Sequence, residues 1–112
     1  MTENASAPVV QRIDAEHRYA VLVGGETAGF TAYRDRDGRR IFHHTEIDDA
    51  FAGRGPASVL VQQALTDTRA AGKRIVPVCP YVARHLTKHD EFADVTDPAT
   101  PEILRRLEAG PA

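Results

Sequence analysis

The sequence predicts an α+β domain: an antiparallel meander feeding one βαβ unit, with helices packed on a mixed sheet. Three observations predict it. The first half is a run of β-rich segments separated by turn residues. The apolar period changes to a helical one after residue 55. A short apolar run follows that helix. The 112 residues suit one domain with a core of its own.

The elements follow in order. Residues 9–13 and 19–23 are rich in β-formers. Gly24-Gly25 signals a hairpin, answered by a strand over 28–33. Asp35-Arg36-Asp37-Gly38 marks the next turn, and 40–47 gives a fourth strand. Over 56–71 the apolar residues recur at 57, 60, 61, 64, 65 and 71. Pro56 suits a first helical position and Gly72 a stop. The strand predicted at 74–78 comes after strand and helix, so it should lie parallel to the fourth. Pro80 ends it and opens a helix to residue 88. Thr-Asp-Pro and Thr-Pro signals predict a last helix over 96–109, with Ile103, Leu104 and Leu107 as its apolar stripe. The organisation is then a flexible tail at 1–8, the main domain at 9–96 and a helical extension at 97–112.

Bulk properties exclude several classes. The formal net charge is −2, which gives no reason to expect nucleic acid or an anionic membrane as partner. No apolar run is long enough to span a bilayer. The single cysteine, Cys79, rules out an internal disulfide framework and suits a reducing, cytoplasmic compartment. The first eight residues lack the basic and apolar regions of a signal peptide.

The join between the fourth strand and the long helix carries the clearest chemical signal. Gly53-Arg54-Gly55 lets the backbone turn tightly and approach a ligand, and the helix start behind it offers unpaired N–H groups. Such a helix start attracts phosphate. Ser58 adds a hydroxyl and Arg54 a cation. The plain alternative is a turn with no ligand. A P-loop is excluded because no Gly-Lys-Ser/Thr follows, and Ser58 stands where a dinucleotide fingerprint needs its third glycine.

Four stretches together resemble the small single-domain GNAT-like N-acetyltransferases, the compact subgroup with a characteristic Cys and Gly. They are His44-Thr45-Glu46-Ile47, Gly53-Arg54-Gly55, Val76-Pro77-Val78-Cys79-Pro80-Tyr81-Val82 and Lys88-His89-Asp90-Glu91-Phe92, in the family's order and spacing over residues 10–95. The resemblance implies a minimal GNAT-like fold that binds acetyl-CoA and uses no metal. It assigns the pyrophosphate to Gly53, Arg54, Gly55, Ala57 and Ser58. It pairs the pantetheine arm with the backbone near Ile47 and Asp48. It brings the thioester toward Cys79, flanked by Tyr81 and, at the end of that helix, His89. The chain departs from the family's pattern at Ala50, Ala52 and Pro56, and Asp90 and Phe92 stand where the family has Pro and Tyr.

Amine acetylation needs a deprotonated amine, a closely held acyl carbon and a donor for the developing oxyanion. The resemblance makes Glu46 the candidate base; the alternative is an ordinary edge-facing charge. Cys79 is a candidate acyl-accepting nucleophile, a general acid for the leaving thiolate, or simple packing. His44 shares a strand face with Glu46 and is a candidate to activate the thiol. His43 and His44, being adjacent, are expected on opposite faces. His85 and His89 are four apart on a helix, but with no third ligand in register they do not make a metal site. The expected activity is direct acetyl transfer in a ternary complex. The acceptor is an unidentified amine, with a peptide or protein lysine favoured because a hairpin leaves the acceptor side open. A homodimer through the first strand's edge is possible. The alternative is a non-catalytic acyl-CoA-binding or protein-interaction module on the same fold.

Overall fold

The structure is a computed structural model and describes residues 7–51 and 55–108. Five strands form one sheet in the order of the chain: β1 Val9–Ile13, β2 Arg18–Val23, β3 Glu26–Arg36, β4 Arg39–Ile47 and β5 Arg74–Pro77. The first four are antiparallel, and β5 runs parallel to β4. The α+β architecture and the mixed sheet are as the sequence predicts.

Turn chemistry sets the two hairpins. Gly24 and Gly25 (φ 60° and 85°) join β2 to β3. Asp37 and Gly38 (φ 55° and 76°) join β3 to β4. Two left-handed residues match the twist of the flanking strands, so β3 and β4 extend further than the sequence predicts. Asp35 is therefore a strand residue, and its carboxylate binds Arg40 directly across the hairpin at 2.8 and 3.0 Å.

Helix α1 (Pro56–Ala70) carries Leu60, Val61, Ala64, Leu65 and Thr68 on its buried stripe. These meet Tyr19, Val21, Phe42 and Ile75 from the sheet. Full burial of a leucine stabilises by about 1.5–3 kcal/mol before entropy, so this stripe is the main reason the helix docks. Helix α2 (Pro80–Lys88) packs on α1 through Val82 and lies on the same side of the sheet.

The C-terminal region differs from expectation. The stretch after α2 is a 3₁₀ segment, Asp90–Val95, and Thr96 then bridges Ile75 in parallel at the outer edge of β5. The amide of Asp97 donates to the Ile75 carbonyl at 2.8 Å. Its carboxylate accepts from Arg39 (3.0 Å) and Arg74 (2.9 Å). The Thr-Asp-Pro signal is thus used on the sheet edge. The second signal, Thr100-Pro101, starts the helix: α3 is Pro101–Glu108, and the Thr100 hydroxyl accepts the Ile103 amide at 3.3 Å.

Two irregularities shape the sheet. Ala28 is an extra residue in β3, since Val21 pairs with Gly29 and Leu22 with Thr27. His43 is an extra residue in β4, since Ala32 pairs with His44 and Tyr33 with Phe42. Such bulges bend a strand and change which face its later residues present. Arg40 and Phe42 are buried on the α1 side. Beyond His43 it is Thr45 and Ile47 that turn inward, while His44 and Glu46 are exposed. In an unbroken strand His44 and Glu46 would share the face of Phe42.

Candidate functional site

The site begins where β4 and β5 part. Their pairing runs from Arg39 with Arg74 to Phe42 with Pro77 and goes no further. The amides of Val78 and Cys79 both donate to the Phe42 carbonyl at 3.0 Å, and the chain then turns into α2. From His43 to Ile47, β4 continues without a strand partner on that side among the described residues. This splay opens a cleft of about 380 Å³ bounded by His43, His44, Thr45, Cys79, Tyr81 and Arg84. The bulge brings His43 and His44 to the same cleft, contrary to the alternation of a regular strand.

Cys79 forms the floor. It is 3% exposed. Its Sγ lies 3.0 Å from the Thr45 hydroxyl, and that hydroxyl lies 2.9 Å from the Thr31 hydroxyl. Two buried hydroxyls, each able to donate or accept, thus stand in line behind the sulfur, so the thiol keeps a hydrogen-bonding partner inside the core. Tyr81 is 41% exposed and Arg84 is exposed, both on the cleft side of α2.

Glu46 and His44 are brought together on the exposed side of β4. Nε2 of His44 is 2.8 Å from a Glu46 carboxylate oxygen, and the Glu46 side chain is 63% exposed. The His44 ring stands 5.9 Å from that of Phe30, over whose face the Arg18 guanidinium lies at 4.1 Å. Next to them Gly29, Phe30, Glu46, Ile47 and Asp48 border a second hollow of about 200 Å³. Gly29 is required there: a Cβ at that position would lie 2.5 Å from the Glu46 carbonyl and from Ile47 Cδ1. Asp48 is held locally, its amide donating to Ala28 and its carboxylate accepting the Ala50 amide at 2.9 Å.

The phosphate-type end is described in part. Gly53 and Arg54 lie outside the described residues. Gly55 precedes α1 with φ 96°, a left-handed conformation that favours glycine, and a Cβ there would meet nothing within 4 Å. Ala57 is half-buried and Ser58 exposed in the first turn of α1. The residues present therefore fit an anion: an open backbone turn, an exposed hydroxyl and the start of a 15-residue helix with no acidic residue in its first turn.

His89 stands apart from the Cys79 cleft. Its ring stacks on that of His85 at 4.0 Å. His85 donates from Nε2 to the Gln62 carbonyl oxygen at 2.8 Å, and the Gln62 amide donates to Glu91 at 3.0 Å. Burial, then the neighbouring His89, lowers the proton affinity of His85. This chain of contacts ties α2 and the 3₁₀ segment to α1. No group of three potential ligands converges on a metal position among the described residues. Sequence reasoning missed Thr31, Thr45, Gln62 and Arg84. Three of them act through partners more than ten residues away, and the fourth is an arginine on a helix, which has no local signature.

A family model for GCN5-related N-acetyltransferases matches residues 18–95. The chain belongs to that family. The solution structure of a GCN5-like protein from Staphylococcus aureus, itself proposed to be an N-acetyltransferase, has the same fold. It superposes with a TM-score of 0.62 over 83% of this chain and 91% of that one, at 19% sequence identity. No curated protein matches the sequence. In this GCN5-related domain α1 and α2 both lie on the Phe42 side of the sheet, and Phe30, His44 and Glu46 face the other way. Among the described residues no helix is long and apolar enough to cross a membrane.

Proposed function

We propose that the protein is a cytoplasmic N-acetyltransferase that uses acetyl-CoA and transfers the acetyl group directly to an amine in a ternary complex. The observation that carries this reading is the early end of the β4–β5 pairing over a cleft floored by Cys79. When bound, acetyl-CoA supplies an acetyl thioester. Gly55, Ser58 and the amides at the start of α1, with Gly53 and Arg54 before them, would hold its pyrophosphate. The free edge of β4 at Ile47 and Asp48 would align the pantetheine arm. Tyr81 would flank the acyl end, and His89 would act from the far end of α2 through its stack on His85.

Glu46 takes the proton of the acceptor ammonium, and its bond to His44 fixes the carboxylate that receives it. The amine nitrogen then forms the new C–N bond as the C–S bond breaks, and the second proton it loses passes to the Cys79 sulfur, replacing the one that thiol gives up. The departing sulfur takes up one proton. Cys79 is the group at the cleft floor able to give it, with the Thr45 hydroxyl steadying the thiol from behind. The exposed Phe30–His44–Glu46 face supports an open acceptor side, suited to a peptide or protein lysine. A second reading, a non-catalytic acyl-CoA-binding module, draws support from the burial of Cys79.

Calorimetric titration with acetyl-CoA tests the binding half. Micromolar affinity is expected, lost in Ser58→Glu, which places a negative charge in the first turn of α1. No binding by folded wild-type protein would overturn the reading. Release of free CoA on adding amines then separates the enzyme from the binding module.

A further inference from the structure

The Cys79 cleft has a charge that the chain as a whole lacks. The protein carries a formal net charge of −2. Yet among the described residues no carboxylate lines this cleft, and its titratable walls are His43, His44 and Arg84 besides Cys79 and Tyr81. Arg34 adds to the same field, because after burial its charge is the next cause lowering the proton affinity of His43. The acid beside the cleft, Glu46, belongs to the adjoining hollow and is bonded to His44.

Arg84 is the arginine on the cleft wall. Arg12, Arg39, Arg40, Arg69 and Arg74 each hold a carboxylate. The Arg84 guanidinium has no hydrogen bond or ion pair among the described residues, although it faces the cleft. It stands three residues after Tyr81 on α2, so the two share one helix face, and both border the opening. An amine reaches such a site as an ammonium ion. The fixed charge of Arg84 in the wall repels it unless the same molecule brings a negative group. A guanidinium offers paired donors that suit a carboxylate in particular.

We infer that the acceptor is a primary amine carrying a neighbouring carboxylate, held by Arg84 while Glu46 receives the amine end. This deepens the acetyltransferase reading and rests on it. A free amino acid and a lysine flanked by acidic residues in a peptide share this chemistry.

The test is calorimetric binding in the presence of desulfo-CoA, the unreactive analogue lacking the sulfur, so that turnover is not needed. One arm compares lysine with cadaverine, which differ by the carboxylate alone. The other compares a lysine peptide flanked by aspartates with one flanked by arginines. In at least one arm the acidic member is expected to bind about tenfold more tightly, as one charge-assisted bidentate contact requires. The arm that shows the preference identifies the source. Arg84→Gln should abolish the preference and Arg84→Glu reverse it, with desulfo-CoA affinity unchanged. Equal or tighter binding of cadaverine and of the arginine-flanked peptide would overturn the inference and leave the acetyltransferase reading intact. So would Arg84 variants that weaken desulfo-CoA instead, since Arg84 would then serve the cofactor. Failure of wild-type protein to bind desulfo-CoA would overturn both.

Discussion

The two halves of β4 treat polar side chains in opposite ways. Before the bulge, Arg40 is 4% exposed and fully engaged. It donates to Asp35 and to the Tyr19 hydroxyl (2.6 Å), and its guanidinium lies 4.4 Å from the Tyr33 ring centre. Tyr19 in turn donates to Asp67 of α1 at 2.6 Å, which also accepts from Arg12 of β1. After the bulge, His44 and Glu46 hold one another and face solvent. The first half uses charge to join β1, β2, β4 and α1. The second keeps charge available for a ligand. One strand serves both purposes because an extra residue at His43 changes its facing halfway along.

The comparison can be broken at several points, taken from the largest expected effect on stability to the smallest. Inserting one alanine between His44 and Thr45 displaces the later residues by one position and turns Glu46 toward the core and Thr45 outward. We expect loss of cooperative folding, seen as a missing thermal transition; an insertion variant that melts like wild type would contradict the facing that the bulge sets. Arg40→Ala removes the centre of the buried network and leaves Asp35 and Tyr19 without their donor. It should cost about 3 kcal/mol in denaturant unfolding, whereas a cost near zero would mean the network is incidental.

The pH dependence of stability sharpens the same contrast. Burial alone would raise the Asp67 carboxyl, but bonds from Tyr19 and Arg12 outweigh it and hold it below the ordinary value. The Arg74 bond does the same for Asp97. A carboxylate depressed in the folded state stabilises fully above its unfolded value of about 4 and loses that contribution as pH falls through the folded value. The melting temperature should therefore decline modestly as pH falls below about 6.5, where the unfolded chain protonates His43 and His85 first, and fall further below about 4, with a shallower acid fall in Asp67→Asn. On the alkaline side, burial and the bond to Asp67 push Tyr19 up to about 12. The unfolded chain ionises this phenol first, so stability should decline as pH rises from about 10 to 12. Glu46→Gln lies at the other extreme. It should leave the melting temperature essentially unchanged yet slow acetyl transfer by about 10²-fold or more; unaltered turnover would remove Glu46 from the role of base.

What the sequence revealed follows the range of the interactions. Helix α1 and the hairpin turns were legible because apolar period and turn residues act within a few positions: Leu60, Leu65, Gly24 and Asp37 each announce themselves locally. The bulge at His43 was not, because it exists only in register with Ala32 and Tyr33 of β3. The Thr31–Thr45–Cys79 line and the burial of Arg40 were hidden for the same reason. Thr96 misled in the opposite direction: its local context is that of a helix start, and the edge of β5 claimed it first. At the site, the closeness of His44 to Glu46 was readable from their spacing. The convergence of Cys79 with Tyr81, Arg84 and both histidines depends on where β5 leaves β4.

That departure has a consequence for how the molecule assembles and breathes. β1 to β4 are joined by neighbouring hairpins and need only short chain closures, whereas β5 reaches β4 across the whole of α1 and pairs with it over four residues. The meander is expected to form early and β5 to dock late, so the wall of the cleft is among the least costly parts of the fold to open. Amide exchange at Val78 and Cys79 should then be faster than at Tyr19 or Val21. A site of this kind admits its ligands by brief local undocking of one short strand, and a bound ligand that bridges β4 to α2 would close the sheet behind it.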